Sequence, residues 1–87
     1  MYTIHLEKHF LSSAKKLEKE VKKELGRNLL LLKQDPTHSH LRLKPLHGHL
    51  GGFYSFRVKE YRVIVEFLKE KRIRILEIDK RDKIYKK

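Results

Sequence analysis

The chain has 87 residues, and 22 Lys and Arg against 11 Asp and Glu give a formal net charge of +11. This length predicts one compact domain over residues 1–87, and the excess of cations indicates a polyanionic partner. The absence of cysteine excludes disulfides and a thiol nucleophile, and without a ~20-residue apolar run or a secretory pattern we expect a cytoplasmic protein with no membrane contact.

The N-terminal third predicts a short strand followed by helix. Residues 2–6 alternate in side-chain type, and apolar residues then recur at spacings of three and four until Asp35 and Pro36. The periodic residues are Phe10, Ala14, Leu17, Val21, Leu25, Leu29 and Leu32. A single helix over residues 8–34 would span ~40 Å, which is too long for this domain. We therefore predict a helical hairpin, broken at Leu17 to Glu20 in preference to Gly26.

The C-terminal half predicts antiparallel strands over residues 41–78 and a basic tail over 79–87. Apolar residues alternate there with period two. They are Leu41, Leu43, Tyr54, Phe56, Val58, Val63, Val65, Phe67, Ile73 and Ile75. The opposite parity contains Arg42, Lys44, Arg57, Arg62, Arg72 and Arg74. We expect a two-layer α+β fold in which helices cover the apolar face of a meander sheet and the other face is basic and exposed.

Two arginines carry the strongest functional signal. Short connections at Lys59-Glu60 and between the following strands predict hairpins, which would place Arg57 and Arg62 side by side. A guanidinium is planar, stays protonated and can hold two phosphate oxygens at once. The pair therefore indicates a phosphate-binding site.

An ordered set of motifs resembles the RelE/ParE superfamily of toxins from toxin–antitoxin modules. The set comprises Leu43-Lys44-Pro45-Leu46-His47-Gly48, Gly52-Phe53-Tyr54-Ser55-Phe56-Arg57-Val58, Tyr61-Arg62-Val63-Ile64-Val65 and the closing Arg81 to Tyr85. The resemblance covers essentially the whole chain and implies a RelE-like β-α-α-β-β-β(-β) fold. It also implies a cognate RelB-like antitoxin as a partner.

Two activities are compatible with the resemblance, because related folds host different functions. The RelE branch implies a metal-independent endoribonuclease, an mRNA interferase that cuts mRNA at the ribosomal A site and inhibits translation. The ribosome and mRNA would then be partners, with no cofactor or metal. The ParE branch implies a non-catalytic toxin that inhibits DNA gyrase. We favour the first because the chain carries proton-transfer groups near its arginines.

The resemblance, the charge pattern and side-chain chemistry together give the candidate site residues. Lys44, Arg62, Arg81 and Tyr85 are the candidate catalytic residues, and Arg62 lies in the tyrosine–arginine pair that matches a catalytic arginine of RelE. Arg42, Arg57, Lys80 and Lys83 are candidates for binding RNA phosphates. His47 is a further candidate acid or base, and Glu66 is an alternative for proton transfer. The two His-x-His pairs at residues 38–40 and 47–49 offer a zinc site, which we do not favour because no acidic or thiolate ligand accompanies them.

Overall fold

A mixed sheet with two helices on one face makes up the described part of the protein, residues 1–46 and 53–80 of a computed structural model. The elements in chain order are β1 (Thr3–Leu6), α1 (Lys8–Ala14), α2 (Lys19–Gln34), β2 (Lys44–Pro45), β3 (Tyr54–Val58), β4 (Tyr61–Leu68) and β5 (Arg72–Lys80). The five strands of these residues lie in the order β1-β5-β4-β3-β2. The predicted two-layer α+β fold is confirmed. The meander from β2 to β5 is antiparallel, and β1 adds a parallel pairing to β5.

The helical hairpin breaks at the preferred position. Helix α1 ends in two tight turns, in which Lys16 N–H donates to the Ser13 carbonyl and Leu17 N–H donates to the Ala14 carbonyl. Glu18 is then extended, with φ −66° and ψ 156° in the range of a helix N-cap, and α2 begins at the next residue. Gly26 lies inside α2, with open space where a Cβ would stand.

Helix α2 ends at Asp35 and Pro36, as the sequence predicts. The Asp35 carboxylate accepts hydrogen bonds from the Thr37 hydroxyl at 2.7 Å and from the Thr37 backbone N–H at 3.1 Å. These bonds favour the ionised carboxylate and lower the pKa of Asp35. The turn that they form directs the chain away from the helix axis toward β2.

The hydrophobic core lies between the helices and the predicted apolar face of the sheet. The buried helical residues are Phe10, Val21, Leu25 and Leu32, and the buried strand residues include Phe56, Val58, Val63, Val65, Ile73, Ile75 and Ile78. The spacing of three and four in the helices and of two in the strands brings these side chains to one interface. The core pattern predicted from the sequence is therefore confirmed.

The prediction of a strand starting at Leu41 is wrong. Leu41 lies in a turn, where its N–H donates to the His38 carbonyl and its side chain is buried in the core. Arg42 follows with a φ of 52°, in the left-handed region that breaks an extended strand. As a result β2 pairs with β3 only through Lys44 and Pro45. The rest of the outer edge of β3, from Phe56 onward, has no strand beside it among the described residues.

The boundary between the last strand and the basic tail also differs from the prediction. Strand β5 continues to Lys80, because Asp79 and Lys80 pair with Arg62 and Tyr61 of β4. The basic tail predicted over 79–87 therefore starts after two residues that belong to the sheet, and residues 81–87 lie outside the described part. No helix within residues 1–46 and 53–80 combines the length and the apolar character that crossing a membrane requires.

Candidate functional site

The face of the sheet turned away from the helices, called the outer face here, carries the predicted arginine pair. Arg57 on β3 lies directly opposite Arg62 on β4. Directly opposed residues share a face, and their Cβ atoms lie about 4.5–5.5 Å apart. The prediction that these two arginines come together on a hairpin is confirmed.

Arg62 is held more firmly than the sequence suggests. Its residue is 6% exposed, and its outer-face neighbours Ser55 and Ile64 are 1% and 5% exposed. Strand β4 lies between β3 and β5, so side chains from both flanks surround it. Asp79 lies directly opposite Arg62 on β5. The expectation of an exposed basic face is therefore wrong at Arg62, which is largely buried.

Arg57 is exposed but fixed through both its side chain and its backbone. Its Nε–H donates to the Lys59 carbonyl at 3.0 Å, so the guanidinium is drawn toward the hairpin turn. Its carbonyl accepts a hydrogen bond of 3.3 Å from Nδ2 of Asn28. No carboxylate lies within ion-pair distance of Arg57 among the described residues.

Asn28 is a residue that the sequence reasoning missed. It is 1% exposed and lies on α2 between Leu25 and Leu32, on the same buried stripe. A buried amide needs a partner, and this one bonds the edge of β3 where a strand would otherwise pair. A single polar residue at a core position of the helix was the signal that could have identified it.

Lys44 lies on the outer face beside the arginine pair. It is exposed and directly opposite Ser55, which is two residues before Arg57 on β3. Strand geometry places the Cα atoms of Lys44 and Arg62 about 12 Å apart, a span that two long side chains bridge around a bound phosphate. The structure therefore brings together Lys44, Arg57 and Arg62.

Arg42 lies at a different position from the one that the strand prediction gave it. It is exposed in the turn before β2 and lines a pocket of about 450 Å³ together with Arg57, Lys59 and residues of α2. Arg42 therefore approaches Arg57 from the edge of β3, not across the sheet.

The other end of the outer face is neutralised. Arg74 donates from one Nη to Glu7 and from the other to Glu66, both at 2.9 Å. The hydrogen bond to Glu7 and the negative charge of that carboxylate raise the pKa of Arg74, with a smaller contribution from Glu66. The expected basic character is thus wrong at Arg74. Glu66 is engaged in this cluster and stands four residues, or about 13 Å, along β4 from Arg62.

Of the remaining predicted site residues, Lys80 is the one that lies within the described part of the chain. Lys80 is exposed on β5 opposite Tyr61, and both line a pocket with residues of α1, so Lys80 is on the helix side and not beside Arg62. His47, Arg81, Lys83 and Tyr85 lie outside the described residues.

Within residues 1–46 and 53–80 no three His, Asp or Glu side chains are arranged to hold a metal ion. His40 instead has its Nε2 3.4 Å from Glu24.

Comparison with solved structures assigns the class of protein. A helical hairpin on a mixed sheet also occurs in the archaeal RelE–RelB complex from Pyrococcus horikoshii OT3, which is 25% identical, with a TM-score of 0.79 over 92% of this chain and 94% of that chain. The intact RelBE complex of E. coli is 19% identical, with a TM-score of 0.74 over 92% and 96%. YafQ of E. coli strain BL21(DE3) is 19% identical, with a TM-score of 0.76 over 98% and 99%. The fold is that of the RelE-like toxins.

The sequence comparison gives the family. A profile described as "ParE toxin of type II toxin-antitoxin system, parDE" matches residues 4–85, so the chain belongs to the ParE toxin family within the RelE/ParE superfamily. The protein is a toxin of a type II toxin–antitoxin module. No curated protein matches its sequence.

Proposed function

We propose that this toxin is a metal-independent endoribonuclease that cuts mRNA in the ribosomal A site and thereby inhibits translation. The observation that supports the proposal is the cross-strand pair of Arg57 and Arg62, with Lys44 on the same face of the sheet. Cations held by a rigid hairpin suit a reaction in which negative charge builds up on one phosphate.

The chemistry assigns roles to these side chains. The 2′-oxygen of a nucleotide attacks its own phosphorus, the bond from phosphorus to the 5′-oxygen breaks, and the products are a cyclic phosphate and a free 5′-hydroxyl. Arg62 binds the nonbridging oxygens, and its burial holds the guanidinium in place as their charge rises. Arg57 positions the same strand of RNA from the neighbouring position.

Two proton transfers complete the reaction. The 2′-hydroxyl must lose a proton, and the departing 5′-oxygen must gain one. We assign the base role to Lys44, which is exposed beside the arginine pair. Arg81 is assigned to the phosphate and Tyr85 to the base stack or the departing oxygen, with His47 as an alternative acid. The roles of Arg81 and Tyr85 rest on the motif match, and that of His47 rests on the acid–base chemistry of imidazole and its position after Lys44 in the sequence.

The proposal includes a cognate antitoxin as a partner. Two of the similar structures are complexes of RelE with RelB. A formal net charge of +11 makes an acidic RelB-like segment a complementary ligand. Covering Arg57, which has no carboxylate beside it among the described residues, would block RNA from the site.

Cleavage on programmed ribosomes tests the enzymatic proposal. Wild type and Arg62→Gln are incubated with ribosomes carrying a defined codon in the A site, and cut sites are mapped by primer extension. We expect the variant to cut on the order of 10²–10³ times more slowly. The matched control is Arg72→Gln, which removes an exposed arginine whose side chain, among the described residues, donates a hydrogen bond to the Lys69 carbonyl.

Folding and target are checked in the same experiment. Thermal melting of Arg62→Gln must show a folded protein, and Arg62→Lys, which keeps the charge, should recover part of the rate. Equal cleavage by wild type and folded Arg62→Gln would contradict the role of Arg62. Absence of cleavage by wild type would contradict the endoribonuclease proposal itself.

A second candidate function is inhibition of DNA gyrase, and the match to the ParE family supports it. This activity needs no proton-transfer groups beside the arginines. Supercoiling by purified gyrase is therefore measured with the same protein preparations. Inhibition of supercoiling without ribosome-dependent cleavage would favour this candidate over the first.

A further inference from the structure

A pocket at the outer edge of β3 adjoins the proposed site and shares Arg57 with it. The pocket holds about 450 Å³ and lies between α2, the turn before β2 and the β3–β4 hairpin. It opens there because β2 pairs only with Tyr54 and Ser55, so the edge of β3 at Arg57 faces the helix instead of another strand. The lining residues are Glu24, Asn28, His40, Leu41, Arg42, Arg57 and Lys59.

The charges of this pocket are asymmetric. Three cationic residues, Arg42, Arg57 and Lys59, line the pocket, and none of them has an ion pair among the described residues. The acidic residue of the lining, Glu24, is engaged by Arg27 at 3.2 Å and lies 3.4 Å from His40. Among the described residues, the one carboxylate of the lining is therefore already paired, whereas its three cationic residues are not.

The backbone holds two of these cations in an uncommon conformation. Arg42 and Lys59 have φ values of 52° and 53°, in the left-handed region that non-glycine residues seldom occupy. Asn28 restrains the backbone of the third cationic residue, Arg57. The Asn28 side chain is 1% exposed, and its amide donates to the Arg57 carbonyl. The pocket rim is thus built from positions that the fold restrains.

We propose that this pocket is a second phosphate-binding subsite, which holds the RNA strand next to the nucleotide that is cut. Arg57 links the two sites, since it stands opposite Arg62 on the sheet and also lines the pocket. The strand would run from Arg62 over Arg57 to Arg42 and Lys59. The proposal rests on the proposed endoribonuclease function for the identity of its ligand.

Single-stranded RNA fits this pocket for a physical reason. Its backbone presents successive phosphates to separate cations and leaves the bases free to contact the exposed imidazole of His40. The bond between phosphate and arginine or lysine carries no sequence information. The subsite therefore increases the affinity for RNA and orients the RNA strand, and it takes no part in the bond-breaking step.

Binding of an uncleavable RNA tests the subsite apart from catalysis. The probe is a fluorescent, fully 2′-O-methylated single strand of about 12 nucleotides, whose anisotropy is titrated with wild type and with Arg42→Asn/Lys59→Asn over a salt series. Asparagine removes the charge and tolerates the left-handed backbone. The matched control is Lys71→Asn/Arg72→Gln, because Lys71 has a φ of 53° in the hairpin turn before β5, away from the pocket.

The pocket variant should bind at least about 10-fold more weakly at low salt. Its slope of log affinity against log salt should fall by roughly 1.4, which is two phosphate contacts at about 0.7 each for a single strand. The control loses the same charge but should change affinity by less than about threefold. Equal affinities of the two folded double variants, or no binding of the probe by wild type, would overturn the subsite.

The two proposals fail in different ways. Arg62→Gln should lose cleavage on ribosomes but leaves the cationic residues of the pocket, Arg42 and Lys59, in place. If wild type binds the probe through the pocket but never cuts mRNA, the endoribonuclease proposal is wrong and the RNA subsite remains. If wild type cuts mRNA, and the pocket variant and the control variant need the same protein concentration to cut it, the subsite proposal is wrong and the endoribonuclease proposal stands.

Discussion

Two arginines on the same face of the same sheet are held in opposite ways. Arg74 lies between Glu7 and Glu66, with a hydrogen bond of 2.9 Å to each carboxylate. Among the described residues, the Arg57 side chain donates to the carbonyl of Lys59, and the Arg57 carbonyl accepts a hydrogen bond from Asn28. Hydrogen bonds to carbonyls fix a guanidinium but leave its charge in place, whereas two carboxylates neutralise it. We infer that Arg74 stabilises the fold and that Arg57 is available to an anionic ligand.

Charge removal at the two positions should separate activity from stability, with the larger effect on activity. Arg57→Gln should lower the ribosome-dependent cleavage rate by about 10²-fold, because one charge donor next to the phosphate is lost. Arg74→Gln should cut at the wild-type rate, since its charge is already neutralised by the carboxylates around it. Initial rates of cleavage at a saturating ribosome concentration measure both. A rate loss for Arg74→Gln as large as that for Arg57→Gln would contradict the different roles that we infer for the two arginines.

Asn28 is part of the difference between the two arginines, because it donates a hydrogen bond to the Arg57 carbonyl from the core. Asn28→Ala should reduce the free energy of unfolding by about 1–3 kcal/mol, since the Arg57 carbonyl loses its partner. Urea unfolding followed by circular dichroism measures the change. Leu30→Ala is the control on the same helix; that side chain is 61% exposed, and its loss should cost less than about 0.5 kcal/mol.

The role of Asn28 in positioning Arg57 has its own readout. At temperatures where Asn28→Ala is fully folded, it should require more RNA for half-saturation in the anisotropy titration. Leu30→Ala should bind like wild type. An Asn28→Ala protein that is less stable but binds RNA normally would show that Asn28 supports the fold without positioning Arg57.

The smallest effect should be a modest loss of thermal stability in Arg74→Gln, with none in Arg57→Gln. The folded state raises the pKa of Arg74, so its contribution is complete below the unfolded pKa and is lost only as pH rises through the folded pKa. Both values lie far above neutrality. The Tm difference from wild type should therefore be constant from about pH 6 to 9. A difference that vanishes within this range would contradict the assignment.

Much of the fold follows from patterns that are local in sequence. The spacing of Phe10, Val21 and Leu25 predicts the helical stripe, and the alternation along residues 54–67 predicts the buried face of the hairpin. The break before α2 follows from the length of the helical segment relative to the domain. Leu41 shows where this reasoning fails, because an apolar residue can reach the core from a turn as well as from a strand.

The sequence by itself determined the charge, the two layers and the adjacency of Arg57 and Arg62, because these depend on composition, side-chain period and a two-residue turn. Tertiary structure alone decided which cations are neutralised. Glu7 and Arg74 are 67 residues apart along the chain, and their ion pair exists because β1 runs parallel to β5. It also decided that Asn28 holds Arg57 and that a short β2 leaves a pocket beside it, since contacts between distant segments carry no local signal.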